Sequence, residues 1–123
     1  MRRLMPAAIL LLVVVAILPA IADKAKTSYE KGQDAEAREN YETAYEFYKQ
    51  AYDQKPKDLR YKASFERMRF KAAATIVHHG ILLRDQGKLQ EALGEFQKAA
   101  FIDPSLFAAQ QELRKSTPDP REL

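Results

Sequence analysis

Two adjacent histidines, His78 and His79, have side chains that could bind a metal ion or transfer a proton. Neighbouring residues on a helix point about 100° apart, so the two rings cannot chelate one ion together, unlike a pair at i and i+4. The chain has no cysteine, and no carboxylate completes a ligand set at metal spacing. We therefore predict no metal site and expect His79 to be a histidine packed between helices.

Other signatures of catalytic chemistry are missing from the sequence. It contains no glycine-rich phosphate loop, no Ser/His/Asp arrangement and no HExxH motif. Carboxylates pair only as charges along helix surfaces, which is typical of solvated faces. The sequence therefore predicts a protein that is not an enzyme and that has no catalytic residues and no cofactor.

The charge balance argues against nucleic acid as a partner. The chain has 20 basic and 17 acidic residues, but Arg2 and Arg3 lie in the first segment, and the remainder is almost neutral. The basic run that follows Pro56 reads either as a groove for an acidic peptide or anionic lipid, or as the solvated flanks of an amphipathic helix. We predict the second and expect no nucleic-acid binding.

The first 22 residues have the pattern of a targeting segment. Arg2 and Arg3 precede the uncharged apolar run Leu4–Leu18, and Ala20 and Ala22 are small residues at the positions that flank a cleavage site. We predict a signal peptide cleaved after Ala22 and an exported, periplasmic chain. The alternative is an uncleaved anchor in the inner membrane, although the run is short for a span of about 20 residues. Membrane contact is then expected only through this segment.

The rest of the chain contains an internal repeat in which small and bulky residues recur at helical spacing. Two small residues that flank a bulky aromatic on one helix face let a neighbouring helix approach closely. The repeated positions, which match at one constant offset, are Gly32, Tyr41, Ala44, Tyr48, Ala51 and Pro56, followed by Gly80, Leu89, Ala92, Phe96, Ala99 and Pro104.

At these positions the chain resembles the tetratricopeptide repeat (TPR) family, whose motif is a helix–turn–helix of about 34 residues. Two departures are visible, because Ser28 and Ile76 replace the usual early aromatic, and Glu39 stands where the second copy has the turn residue Gly87. The resemblance implies an all-α fold, a helical solenoid of two TPR-like hairpins, and a protein or peptide as partner.

Between the two copies, residues 58–86 are about four helical turns longer than one repeat requires, which preserves the helical phase. No glycine or proline interrupts the segment before Gly80. We predict one long helix, on the order of 40 Å, that both hairpins share and along which they are offset. Its two apolar stripes are Tyr61, Phe65, Met68, Ala72, Ile76, His79 and Leu83, and Leu59, Ala63, Phe70, Ala74, Val77 and Ile81.

The last amphipathic segment, Ser105–Lys115, is predicted to be a capping helix that covers the exposed end of the solenoid. Pro118 and Pro120 cannot continue a helix, so residues 116–123 are predicted to be a flexible tail. The predicted domain organisation is therefore a signal peptide or N-terminal anchor over 1–22, a TPR-like helical domain over 23–115 and the tail.

A closer resemblance rests on Gly32–Arg38, Lys55–Tyr61, Leu83–Leu89 and Gln110–Arg114 behind an export signal. These segments look like the N-terminal TPR region found ahead of some bacterial outer-membrane secretins. The resemblance implies a protein–protein interaction scaffold, accessory to a secretion or pilus (secretin) assembly in the bacterial envelope. The alternative is a structural module of the envelope that self-associates into a homo-oligomer and has no separate ligand.

In the TPR family the inner face of the first helices carries the ligand. Transferred position by position, this predicts a partner-binding surface in both repeats, extended along the inserted helix. The residues are Lys26, Tyr29, Gln33 and Glu36, then Ala74, Val77, Ile81, Arg84 and Asp85, with Arg67, Phe70 and Lys71 on the extension.

Overall fold

Five helices account for nearly all of the described chain. The computed structural model describes residues 23–117 and Arg121, and no strand occurs among them. The predicted all-α class is confirmed. The predicted signal peptide over 1–22 and most of the predicted tail lie outside the described residues. The helices are α1 over 23–37, α2 Tyr41–Gln54, α3 Leu59–Asp85, α4 Leu89–Ile102 and α5 Phe107–Ser116.

The α1–α2 turn shows how one departure from the repeat pattern is accommodated. Glu39 adopts the left-handed backbone there with φ 60°, and its counterpart Gly87 in the α3–α4 turn has φ 79°. A left-handed residue with a side chain costs about 1–2 kcal/mol more than glycine. Asn40 then begins α2, because its side chain accepts a hydrogen bond of 3.4 Å from the Thr43 backbone N–H. Both turns therefore reverse the chain by the same backbone geometry.

The long helix α3 begins at a strong cap and continues without a break. The Asp58 carboxylate accepts hydrogen bonds from the backbone N–H groups of Arg60 and Tyr61, at 2.9 and 3.4 Å. Its 27 residues run to Asp85, about 40 Å at 1.5 Å per residue. The prediction of one unbroken helix is confirmed.

The two hairpins pack on different halves of α3, as predicted. The repeat alanines Ala44, Ala51, Ala92 and Ala99 are all buried, which confirms that they face neighbouring helices. The first half of α3 packs on α1 and α2 through Ala35, Ala44, Tyr45, Tyr48, Met68 and Ala72, and through Ala25, Ala51 and Tyr61. The second half packs on α4 and α5 through Ala73, Ile76, Val77, Leu83, Ala92, Phe96, Ala99 and Ala109.

The repeated glycine–aromatic pair fixes how closely the helices of each hairpin approach. A Cβ atom added to Gly32 would lie 2.6 Å from the Tyr48 ring, and one added to Gly80 would lie 2.5 Å from the Phe96 ring. Both distances are well inside van der Waals contact, and both rings are almost completely buried. Glycine is therefore required at the two positions for steric reasons.

Helix α5 covers the open end of the second hairpin. Ala109 is fully buried, and Leu106 and Leu113 pack against the same core. The Arg84 guanidinium on α3 donates a short hydrogen bond to the Glu112 carboxylate on α5. The predicted capping helix is thus present, although it begins at Phe107 and not at Ser105.

Two details of α3 differ from the prediction. His79 is not packed, because 59% of its side chain is exposed, although its Nδ1 lies 3.1 Å from the Glu95 carboxylate of α4. The second apolar stripe is covered only where α4 and α5 reach it, at Val77 and Ile81. Leu59 remains 77% exposed and Phe70 56% exposed, because the offset of the hairpins leaves the first half of α3 covered on one side.

Candidate binding cleft

A cleft opens at the end of the molecule where α1 begins, α2 ends and α3 begins. Its volume is about 470 Å³. The floor is the small core in which Ala25, Ala51 and Tyr61 pack together. The residues that line the cleft are Asp23, Lys26, Tyr29, Glu30, Gln33, Lys55, Asp58, Arg60 and Tyr61.

Aromatic rings form one wall of this cleft. The Tyr29 ring lies 4.9 Å from the Tyr61 ring and 5.5 Å from the Tyr48 ring, centroid to centroid. The Arg60 guanidinium lies over both Tyr29 and Tyr61, at 5.8 and 5.7 Å. Tyr29 is half-buried, so part of its ring still faces the cleft. This wall can hold an apolar side chain or a cation, since a π face attracts both.

The charged groups of the cleft balance in number but differ in how they are held. Partial burial raises the pKa of Asp58, but the backbone N–H groups of Arg60 and Tyr61 outweigh it and hold that pKa below its ordinary value. Asp58 also lies 3.6 Å from the Arg60 guanidinium. In the part of the chain that the structure describes, Lys26 and Glu30 have no ion-pair partner, so both are available to a ligand.

Above the cleft, hydrogen bonds to Glu36 of α1 connect it to α2 and α3. Its Oε1 atom accepts hydrogen bonds from the Tyr48 hydroxyl of α2 and the Arg67 guanidinium of α3, both at 2.7 Å. Burial raises the pKa of the Glu36 carboxyl, but these two hydrogen bonds and the charge of Arg67 outweigh it and leave the pKa lowered. Burial and the bond to Glu36 also raise the pKa of the Tyr48 hydroxyl.

The structure gathers one group of the predicted partner-binding residues at this end. Lys26, Tyr29 and Gln33 line the cleft. Glu36 and Arg67, predicted to face a ligand, bond to each other instead. Beyond them, the Lys71 ammonium lies 5.2 Å from the centre of the Tyr41 ring, and Phe70 is exposed on α3.

The second group of predicted residues lies elsewhere, near α4 and α5. Val77 is buried, and Ile81 is partly buried and packs against the same core. Arg84 is occupied by Glu112 and lies 5.7 Å above the Phe96 ring. Ala74 is half-buried and Asp85 is exposed. The two groups therefore do not form one continuous surface.

Several lining residues were not among those predicted from the sequence. Asp23, Glu30, Lys55, Asp58, Arg60 and Tyr61 complete the cleft. The signal that could have found them is the order of the helices. Because α1 and α3 are first helices of successive hairpins, they run parallel, and the start of one lies beside the start of the other.

A second, smaller hollow lies where the end of α4 meets the beginning of α2. Its volume is about 290 Å³, and its lining includes Glu46, Phe101 and Ile102. The Lys98 ammonium donates a 2.8 Å hydrogen bond to Glu42 across it. Glu46 has no ion-pair partner in the described chain, which makes it a useful counterpart to Glu30 in the first cleft.

Neither a membrane-spanning helix nor a metal centre is found among the described residues. They contain no helix that is both long and apolar enough to cross a membrane. Over the same residues, no three side chains of the types His, Cys, Asp and Glu come together as they would around a metal ion.

One comparison with known proteins gives a match. A protein-family model described as "Plant specific mitochondrial import receptor subunit TOM20" matches residues 17–112, more than half of the chain. No curated protein and no solved structure matches. An import receptor is a binding protein, which supports the predicted protein partner and, indirectly, the predicted lack of enzymatic activity.

The same match shows that several predictions were wrong. The family match is not to the TPR family or to the N-terminal region of a bacterial secretin. A mitochondrial import receptor family also does not fit the predicted scaffold for secretion or pilus assembly, or the alternative of a self-associating envelope module. A periplasmic or inner-membrane location fails for the same reason. Small and bulky residues at helical spacing determine how helices pack, and packing does not encode a compartment or a partner.

Proposed function

We propose that this chain is a receptor subunit that binds proteins during import into mitochondria, because it belongs to the family of the plant-specific mitochondrial import receptor subunit TOM20. The match over residues 17–112 carries this proposal. It includes α1 to α4 in full, and therefore every residue that lines the cleft.

We place the binding site in the cleft between α1 and the start of α3. Its volume, about 470 Å³, suits a few residues of a peptide. The Tyr29 wall provides an apolar and cation-attracting surface, and Glu30 provides a negative charge with no ion-pair partner among the described residues. Segments that direct proteins to mitochondria are amphipathic, rich in arginine and poor in acidic residues. Such a segment would place apolar side chains and arginines where these groups lie.

The proposal is tested with a fluorescent peptide of that composition, arginine on one face and leucine on the other, titrated against the full chain. Glu30→Lys should weaken binding by about fivefold, since a charge at the edge of a binding site contributes on the order of 1 kcal/mol. Lys26→Glu should strengthen binding by a similar factor. Fluorescence anisotropy at low and high salt measures both, and high salt should reduce the difference.

Glu46→Lys is the matched control, because it makes the same charge reversal in the second hollow. It should leave the affinity unchanged. A loss of affinity with Glu46→Lys, and none with Glu30→Lys, would place the site between α2 and α4 and contradict the cleft. An absence of binding to any such peptide would contradict the receptor function.

We also propose that residues 1–22 are retained and attach the receptor to a membrane. Residues 4–22 carry no charge, and the family match begins at residue 17, inside the segment that cleavage after Ala22 would remove. Mass spectrometry of the protein isolated from mitochondria, after alkaline extraction of the membranes, should find the intact N-terminus in the membrane fraction. A mature chain that begins at Asp23 would exclude this attachment.

A further inference from the structure

The first half of α3 carries an apolar face that the other described helices leave largely uncovered. We call it the open stripe and define it as Leu59, Ala63, Phe70 and Ala74, which recur at spacings of four and seven residues and so share one face. Leu59 is 77% exposed and Phe70 is 56% exposed. Phe70 follows the buried Met68 by two residues, so it points about 160° away from the core with α1 and α2. The open stripe is about 22 Å long at 1.5 Å per residue.

Further along the same face of α3, the packing of α5 shows what kind of element this face accepts. Val77 and Ile81 continue the stripe, and Val77 is buried in one core with Ala109 of α5. Beside this contact, the Glu112 carboxylate of α5 accepts a hydrogen bond from the Arg84 guanidinium of α3. An amphipathic helix with an acidic side chain next to its apolar face therefore already covers the end of the stripe.

Cations lie along both flanks of the open stripe. Lys62 and Arg69, seven residues apart, share one flank. Arg67 and Lys71, four residues apart, share the other. Arg67 already donates to a carboxylate of α1, but within the described residues no carboxylate pairs with the other three. Glu66 is the single anion between positions 59 and 74, so the stripe has an excess of positive charge that is not neutralised.

The open stripe is separate from the α1–α3 cleft. None of its apolar residues and none of the four flanking cations lines the cleft. The cleft lies on the side of α3 that faces α1, where Tyr61 packs with Ala25. A helix on the open stripe would therefore leave the cleft accessible. The two surfaces also favour opposite charges, because Glu30 in the cleft suits a cation and the flanks of the stripe suit anions.

We propose that the open stripe binds an acidic amphipathic helix of a partner protein, about four turns long. Its apolar side chains would cover Leu59 and Phe70, and its carboxylates would meet the flanking cations, as Glu112 of α5 meets Arg84. An exposed apolar face with a charged rim is typical of an interaction surface, and the sign of the rim selects an acidic partner over a basic one. The proposal does not depend on the receptor function or on the ligand of the cleft.

The test titrates the full chain into a fluorescent synthetic peptide of four helical turns, with leucine on one face and glutamate on both flanks. Fluorescence anisotropy measures the affinity. A second peptide, in which lysine replaces every glutamate, is the charge control. We expect saturable binding of the acidic peptide and at least tenfold weaker binding of the lysine peptide to the stripe, because like charges across an interface repel.

Two pairs of variants locate the acidic peptide on the chain. Phe70→Asp should weaken its binding at least tenfold, since the contact loses a large apolar side chain and gains a like charge. Phe101→Asp is the matched control, because Phe101 is 87% exposed on α4, and it should leave the affinity unchanged. Lys62→Glu should weaken binding by about fivefold, whereas Lys88→Glu, in the α3–α4 turn, should not. Circular dichroism checks that each variant keeps the helix content of the wild type.

The cleft is reported separately by the same variants. Glu30→Lys should not weaken binding of the acidic peptide, and Phe70→Asp should not weaken binding of the arginine-rich peptide. Failure of the receptor function therefore leaves the open stripe untouched, and the reverse also holds.

The proposal is overturned if the acidic peptide fails to bind, binds no better than the lysine peptide, or binds Phe70→Asp as tightly as wild type. A loss of affinity with Phe101→Asp alone would move the acidic helix to the second hollow. Sedimentation of the full chain provides the last check. A dimer that Phe70→Asp dissociates would make the open stripe a contact between two copies and would exclude the acidic partner.

Discussion

At the scale of single residues, the structure changes the role of Glu36. The sequence placed it on a ligand-binding face, but Tyr48 and Arg67 both donate to its carboxylate at 2.7 Å. Its partners lie 12 and 31 residues away in sequence, so no local pattern could reveal them. A charged residue on a helix face can thus serve the fold or a ligand, and only the neighbouring helices decide which.

We predict that Glu36→Gln makes the free energy of unfolding depend less on pH under acidic conditions. The folded-state pKa of Glu36 lies below its ordinary value of 4.5, so ionised Glu36 stabilises the fold above about pH 4.5. That contribution is lost as the pH falls through the lowered folded-state pKa. Glu36→Gln should therefore be less stable than wild type near neutral pH and should show a shallower decline below pH 4.5.

Urea unfolding at a series of pH values measures this difference as a free energy of unfolding. Tyr48→Phe removes one of the two hydrogen bonds to Glu36 and should give an intermediate dependence on pH. An identical decline in wild type and Glu36→Gln would contradict the stabilising role of the carboxylate.

At the scale of helices, close approach explains why the repeat pattern is visible in the sequence at all. Gly80 meets the Phe96 ring and Gly32 meets the Tyr48 ring, in each case between the two helices of one hairpin. Alanines of the second helix in each hairpin, such as Ala92 and Ala99, are also buried, because a small side chain lets a neighbouring helix approach closely. Because these contacts occur at fixed helical spacing, the sequence alone was enough to predict the hairpins.

We predict that Gly80→Ala destabilises the protein by about 1–3 kcal/mol, because its new Cβ would lie 2.5 Å from a fully buried ring that cannot move away. Gly94→Ala, the control within α4, should instead stabilise it by about 0.5–1 kcal/mol. A Cβ there meets nothing within 4 Å, and alanine is the better helix former. Denaturant midpoints of the two variants measure both effects, and a stabilising Gly80→Ala would refute the close approach.

At the scale of the whole molecule, α3 couples two separate cores. The core around Met68 belongs to α1, α2 and the first half of α3, and the core around Phe96 belongs to α4, α5 and the second half. Ile102 packs against both, and Lys98 reaches Glu42 from α4 to α2. These contacts predict one cooperative unit and not two independently stable hairpins.

We predict that Met68→Ala lowers the amide protection of α4 as well as that of α2. Removal of a buried methionine side chain lowers the free energy of unfolding by about 2–5 kcal/mol. Because α3 is continuous and belongs to both cores, this destabilisation should affect both of them. Hydrogen exchange followed by mass spectrometry measures protection helix by helix. The reciprocal variant Phe96→Ala should lower protection in α2. Unchanged protection in the opposite hairpin would show that the two halves open independently.

Several elements depend only on the spacing of residues along the chain and could be predicted without the structure. These are the four described helices with repeat or stripe patterns, the buried faces of Ala44, Ala51, Ala92 and Ala99, and the unbroken α3, because helical phase and the absence of a breaker are properties of consecutive residues. The sequence also indicated Lys26, Tyr29 and Gln33 for the face that proved to line the cleft.

Packing between helices that are distant in sequence determines which charged and aromatic residues are free for a partner. Val77 lies in the core, Arg84 donates a hydrogen bond to Glu112, and His79 is exposed. Each of these outcomes depends on where α4 and α5 lie along α3. That position is set by the sum of many contacts between distant segments. Local spacing cannot show it, and neither can it show the family, the compartment or the ligand, since helix packing constrains none of them.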